Sequence, residues 1–209
     1  MKFFALLPEL DAALPVAAQP LETFIPGSAD VRLESFGPAL PGDPEFDPAC
    51  PIESHREVIE FEHVPMGTAW GELSADENAL ARLRVGSMAD VSGRAWYTLK
   101  FDLPEGIRAI EIAARHNERD FLVGGTINGT ALPSFNCMDD RLLVTEGLKA
   151  GQNTLTLNLD SILTNRLNYE SPGYLAKADL SLMSFGGGSR EYSIRHRHGV
   201  ESVTITPYV

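Results

Sequence analysis

The sequence predicts an all-β fold, an antiparallel sandwich carrying one short helix. Three observations between Trp96 and Leu159 predict it. Along WYTLKFDLPEG, Tyr97, Leu99, Phe101 and Leu103 alternate with Thr98, Lys100 and Asp102, so one face of a strand is apolar and the other wet before Pro104-Glu105-Gly106 breaks it. Asn128-Gly129 follows the strand-like residues 121–127, and both residues tolerate the positive φ that a primed hairpin turn demands. Lys149-Ala150-Gly151-Gln152-Asn153 is a second polar turn, which launches residues 154–159 with Leu155, Leu157 and Leu159 on one face and Thr154, Thr156 and Asn158 on the other.

Taken from the start, the chain divides into a Pro-rich extended arm, residues 1–55, and a sandwich, residues 56–209. Nine of the 14 prolines fall within the first 51 residues, where missing donors and fixed φ values work against ladders. Phe3, Phe4, Leu6, Leu7, Leu14, Phe24, Ile25, Leu33 and Phe36 give this arm too much apolar area for a solvated linker. Either its own sandwich or a neighbouring subunit must accept those side chains. MKFFALLPEL opens with a lysine and a short apolar stretch, but Pro8, Glu9 and Asp11 interrupt it, so the chain is expected to be made in the cytoplasm without a cleaved signal peptide.

After Arg56, residues 58–61 read as a first strand. Ser74-Ala75-Asp76-Glu77 has the spacing of a capping box with Ser74 as N-cap, and Leu80 with Leu83 gives the apolar stripe of a short helix closed by Gly86. Strands are expected at residues 107–114, 178–183, 191–196 and 200–205, with Gly186-Gly187-Gly188 as a flexible turn.

A chain of 209 residues with 44% hydrophobic content suits a single core and contains no uninterrupted apolar run of membrane-spanning length. Asp and Glu outnumber Lys and Arg by 29 to 17, a formal charge of −12 that disfavours nucleic acid and anionic lipid as partners. Cys50 and Cys137 stand in no metal-ligand spacing and are read as idle thiols, with a mutual bridge as the alternative. There is no Walker loop, dinucleotide fingerprint or zinc-finger spacing.

The residues Trp96, Tyr97, Phe101, Leu103 and Pro104, then Asn128 and Gly129, then Leu148, Lys149, Gly151, Asn153 and Leu155 resemble, in that order, the galactose-binding-like jelly-roll domains, especially the sugar-binding domains that accompany glycoside hydrolases. In that family a Trp-Tyr strand ends in F-x-L-P, a second strand ends in Asn-Gly, and L-K-x-G-x-N-x-L forms the next turn and strand. The resemblance implies a jelly roll and a sugar ligand. Gly124-Gly125-Thr126-Ile127 replaces the Trp-containing context that the family usually places before Asn-Gly.

Candidate stacking platforms are Trp70, Trp96, Phe121, Phe135, Tyr169 and Tyr174, because the apolar face of a pyranose desolvates well against a π surface. Trp96 and Phe121 sit on predicted strands and are read as core. Phe135, Tyr169 and Tyr174 lie in loops rich in Asn, Asp and Gly. Asn117, Glu118, Arg119 and Asp120 form a polar cluster that reads equally as a sugar-binding rim or a solvated loop. The expected ligand-binding set is Arg119, Phe135, Asn136, Tyr169 and Tyr174. No cofactor is expected, with a structural calcium ion at Asp139, Asp140 and Asn136 as the weaker alternative, since such a site needs six or more oxygens and this segment supplies only a few. His196 and His198, two apart in RHRH, read as one face of a strand in an exposed or intersubunit basic patch that suits an acidic glycan or an acidic neighbour, with metal ligation as the weaker alternative for want of a third ligand.

No nucleophile elbow or scaffolded carboxylate pair is recognisable, so the chain is expected not to be an enzyme. The combined expectation is a non-catalytic glycan-binding jelly-roll module within a larger assembly, a homo-oligomer joined through its arm. Its place would be the surface of a virion or extracellular particle, as a phage-like spike, decoration or receptor-binding protein that meets a cell-surface glycan. The alternatives are a purely structural virion or assembly protein and, third, a carbohydrate-active enzyme on a β-sandwich.

Overall fold

Strong alternation in the sequence becomes two antiparallel sheets in the computed structural model, which describes residues 18–37, 49, 55–117, 120–133, 135, 141–162, 165 and 196–209. The strands are β1 (Ser28–Gly37), β2 (His55–Pro65), β3 (Gly93–Leu103), β4 (Ala109–His116), β5 (Asp120–Ile127), β6 (Thr130–Ala131), β7 (Arg141–Val144), β8 (Gly151–Ser161) and β9 (Val200–Tyr208), with one helix, α1 (Glu77–Leu83), between β2 and β3. One sheet runs β2-β1-β3-β8-β5-β6 and the other β7-β4-β9. The all-β sandwich with one short helix is therefore observed.

Its core is the set of inward faces that the alternation named. Tyr97, Leu99, Phe101, Leu155, Leu157 and Leu159 from the large sheet meet Ile110, Ile112, Ala114, Val203 and Ile205 from the small one, all buried in one cluster. β3 and β8 pair in register over ten residues, placing Leu157 beside Tyr97 and Leu155 beside Leu99.

The family-like turns form one bonded unit. Asn128 and Gly129 both adopt positive φ, 49° and 85°, as a primed turn requires, and connect β5 to β6. The Asn128 side chain donates to Gly147 O at 2.8 Å and to Asn153 Oδ1 at 2.7 Å, and accepts from Thr154 N at 3.0 Å. Asn153 is fully buried. Its Oδ1 also accepts from Lys149 N at 3.1 Å, while its Nδ2 donates to Lys149 O and Gly151 O at 2.8 Å each. Every polar position of that amide is used, so Asn153→Ala is expected to cost about 3 kcal/mol, as the loss of several buried hydrogen bonds does. Asn153→Asp, which turns a donor into an acceptor facing two carbonyls, is expected to cost as much; urea denaturation of both variants checks this.

Several expectations are corrected. The arm does not stop short of the sandwich: β1 lies between β2 and β3, and Ala29, Val31 and Leu33 are in the core. Pro26 precedes that strand without entering it, so no ladder donor is lost there. Ahead of β1, backbone bonds of Leu21 to Pro207 and of Phe24 to Ile205 align the chain along β9, and the Phe24 ring stacks on Phe101 at 6.0 Å. The pairing strands thus begin well before Arg56. The N-cap of α1 is Asp76, whose carboxylate accepts from Ala79 N at 2.7 Å, and the helix ends on Arg84 in the left-handed region, not on Gly86. Asp is as good an N-cap as Ser and stands directly before the helical residues. The strands expected at residues 178–183 and 191–195, the turn at 186–188, and Cys50 and Cys137 lie outside the described residues.

Candidate functional site

Both sheets contribute to a polar cluster where β4 ends, β5 begins and β9 begins. The turn after β2 crosses these ends, with Gly67 N bonded to Val200 O at 3.3 Å and Trp70 N to His198 O at 2.9 Å. Between residues 67–69 and residues 197–201, with Asn117 at the margin, the surface dips into a depression of about 180 Å³. That figure counts open solvent; the centre of a water-sized group has about 10 Å³ to occupy there, room for about one water molecule.

His198 lines this depression and is buried with Asp120, their side chains 1% and 0% exposed. Its Nδ1 lies 2.6 Å from Asp120 Oδ1, and Gly199 N donates to Asp120 Oδ2 at 2.8 Å. Asp120 is held from two sides by the segment entering β9, so the imidazole is fixed in orientation. The Trp70 and His196 rings stand 5.4 and 6.5 Å from that of His198. Nε2 of His198 is buried and has no hydrogen-bond partner among the described residues.

Beneath it, the Tyr97 hydroxyl accepts from Trp70 Nε1 at 2.8 Å and from Val200 N at 3.3 Å. Burial pushes the phenol up to about 12, against the smaller opposing effect of those two donors. The fold therefore favours the protonated phenol. Its contribution is complete below the ordinary value of 10.0 and is lost as pH rises from there through about 12. Absorbance titration of phenolate is expected to show one tyrosine ionising last, together with alkaline unfolding, and Tyr97→Phe is expected to remove that late step.

At the rim, Arg197 Nη2 donates to Gly67 O at 3.0 Å and its Nη1 pairs with Glu72 at 3.1 Å. Asn165 holds the chain just before it, donating to His196 O and accepting from His196 N at 2.7 Å each. Residues 196–198 lie outside any strand. The basic patch expected of RHRH is thus corrected at these positions: His198 is buried against a carboxylate and Arg197 is paired.

Of the expected ligand-binding set, only Phe135 is described, and it is partly buried against the core. Arg119, Asn136, Tyr169 and Tyr174 lie outside the described residues, as do Asp139 and Asp140. Among the described residues there is no cluster of three or more His, Cys, Asp or Glu able to hold a metal. Trp70 is core. Trp96 is half-buried on the outer face of the large sheet, with the Arg32 guanidinium over its ring at 4.4 Å. Phe121, expected in the core, is 50% exposed. Beside it, Arg94 makes a two-pronged bond to Asp160, at 2.5 and 2.6 Å, that holds the guanidinium still further toward its charged form.

Sequence reading missed the Asp120–His198 pair. The residues are 78 apart, and the one local sign was a polar residue at each strand entrance, Asp120 before Phe-Leu-Val and His198 before Gly-Val. The arrangement holds an imidazole against a carboxylate, with both side chains out of solvent. Glu201 is the one carboxylate among the described residues lining the depression.

No family model matches the chain, and no curated protein matches it. Among solved structures it is similar to a rhamnosidase from Novosphingobium sp. PP1Y, with 15% identity, 92% of this chain and 16% of that one covered, and a TM-score of 0.44. A GH2 beta-galacturonidase from Eisenbergiella tayi gives 11%, 90%, 25% and 0.43 for the same quantities. A beta-D-mannosidase from Dictyoglomus thermophilum gives 14%, 88%, 22% and 0.41. The chain spans a quarter or less of the length of these three proteins, and similarity at this level carries no argument about what it binds.

Proposed function

We propose that this chain is a non-catalytic glycan-binding module of the galactose-binding-like jelly-roll type that works as part of a larger assembly. The observation that carries this reading is the bonded unit of Asn128 with Asn153. It ties the Asn-Gly turn to the L-K-x-G-x-N-x-L turn, so the motif segments that resemble sugar-binding domains act as a single structural device. The non-catalytic half is supported by the pairing of Glu72, Asp120 and Asp160 with Arg197, His198 and Arg94. The assembly half rests on the apolar residues Phe3, Phe4, Leu6, Leu7 and Leu14, and the surface of a virion or other extracellular particle is the setting that joins an association arm to a glycan site.

The affinity of one site is expected to be weak, on the order of millimolar to tens of micromolar, with useful adhesion arising from several copies presented together. A glycan array probed with the full chain tests the reading. Retention on at least one glycan class is expected, and Tyr169→Ala with Tyr174→Ala is expected to abolish it while shifting Tm by no more than a few degrees. Retention unchanged in that double variant would remove the two tyrosines from the site. Failure to bind any glycan would favour a purely structural assembly protein.

A further inference from the structure

We propose that Asn128 is a self-modification site held in check by the fold. While its turn is closed the carboxamide is protected, and opening exposes it to a deamidation that keeps the turn from closing again. Asn-Gly occurs once in the chain. This dipeptide favours the chemistry because glycine has no Cβ to hinder attack by its nitrogen on the preceding side chain. In the first step the Gly129 nitrogen loses its proton and bonds to Cγ of Asn128, while the Cγ–Nδ2 bond breaks and Nδ2 leaves as ammonia. The five-membered imide then takes up one water at either carbonyl, giving aspartate or isoaspartate at position 128. Water is at hand, since residues 128–130 are exposed.

Three hydrogen bonds oppose the first step. Nδ2, the leaving group, donates to Gly147 O at 2.8 Å and to Asn153 Oδ1 at 2.7 Å, so both of its hydrogens are engaged, and Oδ1 accepts from Thr154 N at 3.0 Å. Attack makes the planar amide tetrahedral, and an amide held at both ends must give up bonds to change shape. The backbone is held as well, with Asn128 N donating to Thr154 O at 2.8 Å. The product does not fit what was left. An aspartate puts a second oxygen where Nδ2 stood, facing Gly147 O and Asn153 Oδ1 with no hydrogen between them. Asn153 cannot answer by turning over, because its own Nδ2 donates to Lys149 O and Gly151 O and its Oδ1 accepts from Lys149 N. Isoaspartate adds a carbon to the main chain inside a two-residue turn whose φ values, 49° and 85°, suit a primed hairpin. The change therefore runs one way, and none of it depends on the glycan reading.

The test follows the modified fraction at residue 128 by peptide mass spectrometry, in the folded full chain and in the full chain unfolded by urea, at the same mildly alkaline pH. The folded chain is expected to deamidate at least about tenfold more slowly, its rate following the population of the open turn. Equal rates in the two states would overturn the inference. Asn153→Ala is expected to speed the reaction in the folded chain more than Leu157→Ala does, because only the former releases the carboxamide. Equal acceleration by both would show that global unfolding controls the site, and would overturn the guarding role of this turn. A third measurement needs no variant to fold. Wild-type chain already modified at residue 128, separated from the rest by its extra negative charge, is expected to unfold at a lower urea concentration than unmodified chain. An unchanged midpoint would contradict the misfit of the product and with it the one-way character of the change.

Discussion

Deletion of residues 1–37 is expected to abolish cooperative folding. The loss is of β1, which pairs with β2 on one side and with β3 on the other. Without it, β2 has no ladder partner, the buried side chains of Val31 and Leu33 leave the core, and the segment that aligns along β9 through Leu21 and Phe24 goes too. A domain holding roughly 5–15 kcal/mol in total cannot absorb the loss of an internal strand. Deletion of residues 1–17 alone removes no described pairing, so the sandwich is expected to unfold cooperatively while self-association falls. Urea denaturation followed by far-ultraviolet circular dichroism, together with sedimentation of the shorter deletion, checks both statements. A sharp unfolding transition in the longer deletion would mean that β1 contributes far less than its position implies.

Leu157→Ala is expected to cost about 2–5 kcal/mol, as fully buried leucine truncations do. Leu157 has no exposed surface, lies in register with Tyr97 on β3, and faces Gly125 on β5 across the other ladder. Gly125 has no side chain to move into the void, and both neighbouring backbones are held by their hydrogen bonds, so the site can relax little. Leu157→Met, which nearly conserves volume, is expected to cost less than about 1.5 kcal/mol. The difference between the two midpoints in urea, at equal slope, measures the cavity directly.

Alternation over β3 and β8 was legible because β3 keeps strict parity throughout and β8 keeps it from Asn153 to Asp160, and the Asn-Gly turn because its dipeptide is specific to positive φ. Phe121 was misread for a physical reason. Counting back by twos from the inward Ile127 puts Phe121 inward, but the register shifts between Leu122 and Gly124, where β5 carries two adjacent glycines, and the parity inverts. Asp120 is thereby turned into the molecule and Phe121 out of it. β1 was hidden by its surroundings: VRLESF alternates well, but prolines on both sides gave the whole region the look of an irregular arm. The Asp120–His198 pair left only a polar residue at each strand entrance, since nothing local joins residues that meet only when β5 and β9 open at the same end of the sandwich.

Glycan recognition is the central claim, and it is tested most directly by retention of the purified full chain on immobilised glycans with a free monosaccharide as competitor. The account predicts retention that a soluble sugar displaces at millimolar concentration. Absence of retention on every glycan, or retention that no sugar displaces, would contradict it.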